Sequence, residues 1–313
     1  MNIAIVGMGG VGGYCGCRIA SSLNTSPDDK CYFIARGPHL EAIKKSGLFL
    51  ESADGQFICN PELATDNFEE LPELDIVIIA VKSYELENVV KQLVPKIKTD
   101  TVIIPLLNGA DIHTRVRSVI KTGIVLPSCV YIISFIEQPG RVVQKSTSCV
   151  IHSGAENEGD DRKDSVKAAV RMFKTAGIRF EWHEDPWLEI WRKFLFIASF
   201  GLVTADNDAV VGKVMESAEM SDSIKKIISE LRLIAAAEGV ELTDEICEKA
   251  YTLGYKFDYD STTSFQRDFR IKGKPDEREI FGAAMIKAGE KYGIETPEIT
   301  RLYTEICEKK PES

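Results

Sequence analysis

Apolar positions in the first 183 residues group into short runs rich in β-branched side chains, and amphipathic segments separate these runs. This alternation is typical of a mostly parallel sheet covered by helices, so the pattern predicts an α/β domain. Five runs carry the strand signal: NIAIV, CYFIA, DIVIIAV, TVIIPLL and GIVLPSCVYI. Segments 38–46 and 84–97 have the periodicity of helices. The run LFLESADGQFIC predicts a hairpin, because two strand patterns flank Ala53-Asp54-Gly55.

The pattern changes near residue 185, where strand signals fade and a 3.6-residue periodicity takes over. It runs through PWLEIWRKFLFIASF, MSDSIKKIISELRLIAAAEG and TDEICEKAYTLGY. Gly239 is placed to end the second of these helices, and Thr243 is placed to cap the third. The sequence therefore predicts two domains, an α/β domain over residues 1–183 and an all-helical domain over residues 184–313. The last residues, KKPES, look frayed.

Charge and hydropathy exclude several classes of partner. The 313 residues include 48 acidic and 38 basic side chains, a formal net charge of -10. No block of lysines and arginines could neutralise a phosphate backbone, so we expect no nucleic-acid partner. No apolar stretch approaches the roughly 20 residues that span a bilayer, and we expect no membrane association. The N-terminal apolar run is too short for a signal peptide.

Cysteines and histidines indicate a reduced environment and no metal. The eight cysteines are scattered without a C-x-x-C pair, which favours reduced thiols in a cytoplasmic protein. The four histidines (39, 113, 152 and 183) show no ligand spacing such as i, i+4 with a nearby acid. We therefore expect no metal site.

The stretch GMGGVG follows the first predicted strand and precedes a helical pattern over residues 11–23. Its glycines have the G-x-G-x-x-G spacing of dinucleotide-binding turns. In such a turn the first glycine permits the bend, the second lets a pyrophosphate approach the backbone, and the third lets helix pack on strand. Amides at the helix N-terminus then hold the anion. The expected cofactor-binding residues are Gly7, Met8, Gly9, Gly10, Val11 and Gly12; the alternative is a tight turn without a ligand.

The residue after the second predicted strand bears on cofactor choice. An NAD-specific site would place an acidic residue about 20 positions after the glycines, where it binds the ribose hydroxyls. This sequence has Arg36 after CYFIA and no acid in that strand. A guanidinium can clamp a 2′-phosphate through two parallel hydrogen bonds, so Arg36 predicts NADPH as the cofactor. The alternative is a solvated arginine at the strand end.

With these motifs the sequence resembles the ketopantoate reductases, also called 2-dehydropantoate 2-reductases. The resemblance covers nearly the whole chain, and its strings occur in one order: ARGPHL, SGL, AVKSY, LLNGAD, EIWRKF, TTSFQRD, GKPDEREIFG and KYGIETPEI. It implies an N-terminal Rossmann-like NADP-binding domain and an all-helical C-terminal domain, with the active site in the cleft between them. It also implies reduction of the ketone of a 2-oxo acid by NADPH.

The resemblance assigns roles to individual residues. It places Arg36 on the 2′-phosphate and Lys82 in the cofactor cleft, and it places Asn108 near both nicotinamide and substrate. In the helical domain it implies that Lys193 is the catalytic lysine and that Ser264 contacts the substrate.

Glu277 matches the acid of the family's C-terminal domain, and it is expected to act in catalysis and substrate binding. It lies in the charged run Asp276-Glu277-Arg278-Glu279, where the alternative is a solvated helix start. The acid-rich run also allows a register shifted by one or two positions, and Asp276 is the alternative acid.

The chemistry of ketone reduction agrees with a lysine at position 193. Hydride addition to a ketone develops negative charge on the oxygen, so a donor must lie there and give up a proton. Lys193 precedes the apolar stretch FLFIASF, which could desolvate its ammonium. The alternative is a helix lysine that extends to the surface.

The sequence departs from the family at two positions that bear on substrate. The family carries asparagines four and eight residues after its catalytic lysine, and this chain has Ile197 and Gly201. The expected pocket is less polar and locally roomier. The substrate could therefore be ketopantoate held differently, or a bulkier and more apolar 2-oxo acid.

The favoured function is an NADPH-dependent 2-oxo acid reductase, with ketopantoate reduction in the pantothenate route as its most specific form. A second candidate is another two-domain dehydrogenase that oxidises a hydroxy acid or an opine. A third is a non-catalytic NADP(H)-sensing protein, which would need the glycines and Arg36 but neither Lys193 nor Glu277. The expected partner is a small-molecule 2-oxo acid, and a homodimer is left open.

Overall fold

A computed structural model describes residues 1–23 and 28–310 of the chain. It divides into two compact units. Unit 1 comprises Met1–Leu107 and Ile112–Pro186, and unit 2 comprises Asn108–Asp111 and Trp187–Ser313. Residues 311–313, part of the terminus that looks frayed in sequence, lie outside the described residues.

The strands all belong to unit 1 in the described parts of the chain. In chain order they are β1 (Asn2–Val6), β2 (Lys30–Ile34), β3 (Leu48–Ser52), β4 (Gly55–Cys59), β5 (Leu63–Thr65), β6 (Leu74–Ile79), β7 (Ile97–Pro105), β8 (Ile124–Val125), β9 (Ser128–Tyr131), β10 (Ser134–Gln138), β11 (Arg141–Gln144), β12 (Val150–Gly154) and β13 (Arg179–His183).

The helices occur in both units. In chain order they are α1 (Gly10–Ser22), α2 (Gly37–Ser46), α3 (Leu86–Leu93), α4 (Ile112–Val119), α5 (Asp164–Thr175), α6 (Pro186–Asn207), α7 (Val211–Glu216), α8 (Ala218–Ala237), α9 (Asp244–Thr252), α10 (Ser264–Phe269), α11 (Ala284–Tyr292) and α12 (Pro297–Lys309).

A six-stranded parallel sheet forms the centre of unit 1, in the order β5-β2-β1-β6-β7-β8. Its strands are apolar on both faces: Ile3 and Ile5 of β1 belong to one buried cluster, and Ala4 and Val6 belong to another. This double burial explains the unbroken β-branched runs in the sequence. The predicted parallel sheet is confirmed. The carboxyl ends of β2, β1 and β6 meet at one edge, where ligands of such folds bind.

The predicted hairpin over residues 48–59 is also confirmed. Strands β3 and β4 pair antiparallel, with Ser52 opposite Gly55. Gly55 has φ 127°, a conformation that favours glycine at the turn. The hairpin continues into β11 and β10, which gives a four-stranded sheet in the order β10-β11-β3-β4.

Two segments differ from the prediction. The run GIVLPSCVYI is not one strand: β8 lies in the large sheet, whereas β9 joins a separate sheet in the order β13-β12-β9. Pro127 separates them, and proline cannot donate a ladder hydrogen bond. The helix predicted over residues 84–97 is also shorter than expected, because a 3₁₀ turn at Val94–Lys96, which contains Pro95, ends α3.

Unit 2 is helical in its described residues, as predicted. Thr243 caps α9, since its side chain accepts a hydrogen bond from the amide of Ile246 at 3.3 Å. Gly239 follows the end of α8 with φ 85°, so both predicted helix boundaries are confirmed. The long helix α6 is buried over most of its circumference and forms the centre of this unit's core. Among the described residues, no helix has the length and apolarity needed to span a bilayer.

Candidate active site

The glycine turn joins β1 to α1 and shows why glycine is required there. Gly7 has φ 92°, and a Cβ on it would lie 2.7 Å from a methyl group of Val81. A Cβ on Gly12 would overlap the carbonyl oxygen of Gly7. The space in front of Gly9 is open, because a Cβ there would meet no atom within 4 Å. The turn is therefore closed on its inner side and open at Gly9, where a ligand can approach the backbone.

The first turn of α1 provides backbone donors next to this opening. The helix begins at Gly10, and the first amides of a helix have no intrahelical acceptor. A Cβ on Gly10 would overlap the carbonyl group of Ser134, so β10 packs directly against the helix start. The strand β10 was not predicted from the sequence. The arrangement fits a pyrophosphate, which the amides and the helix dipole would stabilise.

Arg36 lies where β2 passes into α2 and forms an ion pair that the sequence did not predict. Its Nη1 donates to Oε2 of Glu85 at 3.2 Å, and its Nη2 lies 3.1 Å from Oε1. The Arg36 side chain is 69% exposed and that of Glu85 is 25% exposed. The motif AVKSY ends immediately before Glu85, and Lys82 immediately precedes the 3₁₀ turn Ser83–Glu85, which follows β6. An acid therefore does face Arg36, although it comes from a neighbouring element and not from β2.

The structure brings together two predicted residues, Lys193 and Asn108. Nζ of Lys193 donates a hydrogen bond to Oδ1 of Asn108 at 2.8 Å. Lys193 lies on α6 and is only 9% exposed, and Asn108 follows β7 in a short segment that belongs with unit 2. A lysine ammonium buried to this degree requires polar partners. Asn108 supplies one of them and fixes the direction of the amine.

The two positions that replace family asparagines lie further along α6. Ile197 is half-buried. A Cβ at Gly201 would lie 3.6 Å from the Phe265 ring and 3.9 Å from the Phe281 ring, which is ordinary van der Waals contact. These rings fit the expected loss of polarity. A methyl group would fit at Gly201 without displacing either ring, and the expectation of a roomier pocket stays a prediction.

Ser264 is exposed at the first position of α10. The preceding residue, Thr263, caps the helix by accepting from the amide of Gln266 at 3.2 Å. The hydroxyl groups of Thr263 and Thr204 are 2.8 Å apart, which ties the start of α10 to α6. The α6 helix that carries Lys193 therefore also positions the segment that carries Ser264.

Glu277 is 2% exposed, just before a π-helical turn at Glu279–Ala283 that leads into α11. The ring of Phe281 in this turn stacks on Phe194 at 6.1 Å and contacts Phe265 at 5.3 Å. These contacts connect the segments that carry Lys193, Ser264 and Glu277 in one aromatic core. Isolated π turns occur frequently at functional sites.

Asp276, the alternative to Glu277, forms a buried ion pair. It accepts hydrogen bonds from Nε and Nη2 of Arg278 at 2.8 and 2.7 Å, and from Nζ of Lys310 at 3.1 Å. Burial alone would raise the pKa of Asp276, but the hydrogen bonds from Arg278 and Lys310 outweigh it and hold the pKa below its ordinary value. This carboxylate therefore has a structural role.

Comparisons with known proteins agree with this architecture. Two sequence models of the ketopantoate reductase family PanE/ApbA match the chain, the first over residues 3–156 and its C-terminal counterpart over residues 185–310. An oxidoreductase of Bacillus subtilis, named as uncharacterized and called YkpB, is 27% identical over 98% of this chain and 98% of its own.

Solved structures show the same fold. The 2-dehydropantoate 2-reductase of Porphyromonas gingivalis W83 aligns with a TM-score of 0.84 at 26% identity, over 98% of this chain and 99% of its own. A D-mandelate dehydrogenase, solved with NADH and anilino(oxo)acetate, aligns with a TM-score of 0.86 at 19% identity, over 99% of this chain and 98% of its own.

The two family models cover most of both units, and the resemblance seen in the sequence is confirmed. The expected oxidoreductase activity is confirmed with it. The chain belongs to the ketopantoate reductase family, PanE/ApbA.

Proposed function

We propose that the protein uses NADPH to reduce the ketone of a 2-oxo acid, with ketopantoate as substrate and pantoate as product, in the route to pantothenate. The observation that carries this proposal is the buried pair of Lys193 and Asn108, whose hydrogen bond is 2.8 Å long. Both residues were selected from sequence, 85 positions apart, and both lie together in the structure. A buried ammonium with a fixed direction suits a proton donor.

In the proposed mechanism the bound NADPH supplies a hydride to the carbonyl carbon of the substrate. Negative charge then develops on the ketone oxygen, and the ammonium of Lys193 stabilises it and transfers a proton from Nζ. An N–H bond of Lys193 breaks as the O–H bond of the product forms, and Lys193 regains its proton from solvent. Asn108 accepts a hydrogen bond from Nζ and thereby orients the protons that remain.

The remaining residues bind substrate in this proposal. The exposed hydroxyl of Ser264 is available to a carboxylate or hydroxyl of the 2-oxo acid. Glu277 is favoured over Asp276 as the acid of the site, because Asp276 is held by Arg278 and Lys310. For the cofactor, the open approach at Gly9 and the amides of α1 support the pyrophosphate position.

The direct test follows the loss of NADPH absorbance with ketopantoate and with a panel of other 2-oxo acids. We expect ketopantoate to be reduced. Failure of every 2-oxo acid to oxidise NADPH would contradict the proposal.

Cofactor preference provides a second test, since Arg36 would have to exchange Glu85 for the 2′-phosphate. A charge-assisted bidentate contact is worth about 1.5–3 kcal/mol, so Arg36→Ala should weaken NADPH binding by about tenfold to a hundredfold and leave NADH nearly unchanged. The matched variant Glu85→Gln should tighten NADPH by up to about fivefold, because a partly exposed ion pair contributes about 0.2–1 kcal/mol. Fluorescence titrations with both cofactors measure these effects, and equal affinities in the unsubstituted chain would contradict the assignment.

A more apolar 2-oxo acid is the second candidate substrate, and Ile197 and Gly201 favour it. An apolar pocket distinguishes one methylene by only about 1–3 kcal/mol, whereas a site that hydrogen-bonds a substrate hydroxyl rejects analogues without it strongly. We therefore expect a raised KM for ketopantoate and appreciable turnover of ketoisovalerate, which lacks the hydroxyl. Ile197→Asn should shift preference toward ketopantoate, and Ile197→Leu should not.

Values of kcat/KM for both acids in the three proteins measure this preference. Strong selectivity for ketopantoate in the unsubstituted chain would show that other side chains hold the hydroxyl. In that case the apolar alternative would be dropped.

A further inference from the structure

Three potential metal ligands of unit 1 converge on the small sheet formed by β9, β12 and β13. His152 lies on β12, directly opposite Glu181 on the parallel strand β13. His183 lies two residues after Glu181, and alternate residues of a strand project from the same face. None of these side chains belongs to the candidate active site.

The ligand atoms are close enough to share one ion. Nδ1 of His152 is 2.9 Å from Nε2 of His183 and 3.3 Å from Oε2 of Glu181. Nε2 of His183 is 3.9 Å from the same carboxylate oxygen. We propose that these residues bind one divalent transition-metal ion of the zinc type.

The spacing of the three atoms matches the bond lengths of zinc. Ligands at about 2.0–2.2 Å from a tetrahedral ion lie about 3.3–3.6 Å from one another, and the three observed separations bracket this range. Bonds of about 2.1 Å to all three atoms would place the ion to one side of their common plane, as a tetrahedral zinc site requires. Only small side-chain shifts are needed, and three protein ligands leave a position for water.

The donor set selects the class of ion. Two imidazole nitrogens and one carboxylate oxygen suit zinc and neighbouring transition metals, whereas calcium and magnesium prefer oxygen ligands alone. The three side chains are between 15% and 30% exposed, so an ion can enter from solution. The ring of Tyr131 contacts the His152 ring edge-on at 5.3 Å and restricts its orientation.

Arg179 is a positively charged residue that pairs with this cluster through Glu181. Its guanidinium forms an ion pair with Oε1 of Glu181, while Oε2 faces the two histidines. Arg179 is 69% exposed and can turn toward solvent. The positive charge of Arg179 repels a metal cation. The Arg179→Gln variant should therefore bind the ion more tightly than the unsubstituted chain.

Binding would link the neighbouring strands β12 and β13 through metal bonds. His183 is the last residue of β13, and α6 begins at Pro186. An ion that binds the folded chain but not the unfolded one raises the melting temperature. We expect zinc to do so in the intact protein.

The experiment uses the purified full chain after treatment with a chelator. Calorimetric titration with Zn²⁺ should give one ion per chain, and Co²⁺ should give a visible spectrum of nitrogen and oxygen ligation. Glu181→Gln and His183→Gln should each lower the affinity by at least about tenfold. The matched control is Glu51→Gln. Glu51 is also a strand glutamate that forms an ion pair with an arginine, Arg141, and its replacement should leave the affinity for Zn²⁺ unchanged.

Several outcomes would overturn the proposal. Absence of stoichiometric binding would show that the residues form a hydrogen-bonded network only. Unchanged affinity in both variants, or a cobalt–thiolate absorption band that indicates cysteine ligands, would place the ion elsewhere. Circular dichroism checks the fold of each variant, and Glu181→Gln decides the result if His183→Gln does not fold. The binding data do not depend on NADPH oxidation, so this proposal and the proposed function can fail separately.

Discussion

Replacing Lys193 with alanine is expected to lower kcat by about 10²–10⁴-fold, the usual contribution of a positioned proton donor. The affinity for NADPH should be retained. The effect falls on kcat because the proton and charge of the ammonium matter most when the ketone oxygen has become negative. Steady-state kinetics with the best substrate of the 2-oxo acid panel, together with a fluorescence titration of NADPH, measure both quantities.

Two further variants separate chemistry from general damage to α6. Arg192→Ala changes the adjacent residue, whose side chain is 44% exposed and pairs with Glu189 at 2.7 Å, and it should leave kcat unchanged. Asn108→Ala should lower kcat by less than Lys193→Ala does. The double variant should be no slower than Lys193→Ala alone, because Asn108 would act through the lysine. Normal turnover of Lys193→Ala would show that the proton donor is another group.

The central sheet and the long helices could be predicted from sequence because their burial leaves a strong pattern. Strand β1 is covered on both faces, so its last four residues, IAIV, are all apolar. Strands β10 to β13 were not identified individually. They are four or five residues long and mix polar with apolar side chains, as in SFIEQ and RFEWH, and short mixed runs have no clear periodicity.

Parts of the candidate site that consist of contiguous residues could be predicted from the sequence. Contacts between residues that are far apart in the sequence could not. The glycine turn could be found because its residues are contiguous. Glu85 was missed because it meets Arg36 across 49 residues, from the 3₁₀ turn that follows β6. The same applies to His152 and His183, which are 31 residues apart and meet only because β12 and β13 pair in parallel. The expectation of no metal site considered only spacing along the chain.

The second large effect expected is on stability, from Asp276→Asn. Asp276 and Arg278 have side chains that are 1% and 5% exposed, and the Arg278 guanidinium also donates to the carbonyl oxygen of Lys310 at 2.6 Å. Removing the carboxylate charge leaves the guanidinium and the Lys310 ammonium without their counter-charge. Breaking a buried pair in this way costs about 3–5 kcal/mol of the free energy of unfolding. Denaturant unfolding at neutral pH measures the loss.

The matched control is Asp244→Asn, which removes the acid of an exposed pair with Arg232 and should cost about 0–1 kcal/mol. An equal, small loss in both variants would contradict the role given to Asp276. The folded fraction of Asp276→Asn should also retain its kcat, because Glu277 and not Asp276 is the proposed acid of the site. A large fall in kcat without a loss of stability would reverse that assignment.

The pH dependence of the same pair gives an independent check. Burial raises the pKa of Asp276, but hydrogen bonds from Arg278 and Lys310 outweigh it, and the pKa in the folded chain lies below the ordinary value. A carboxyl whose pKa is lowered by folding stabilises the folded state fully when the pH is above its pKa in the unfolded chain, which is about 4. This contribution is lost as the pH falls from there through the pKa in the folded chain. The difference in unfolding free energy between the unsubstituted chain and Asp276→Asn should therefore be constant near neutral pH and shrink below about pH 4. A difference that stays constant through this acid range would show that the ionised carboxylate is not what stabilises Arg278.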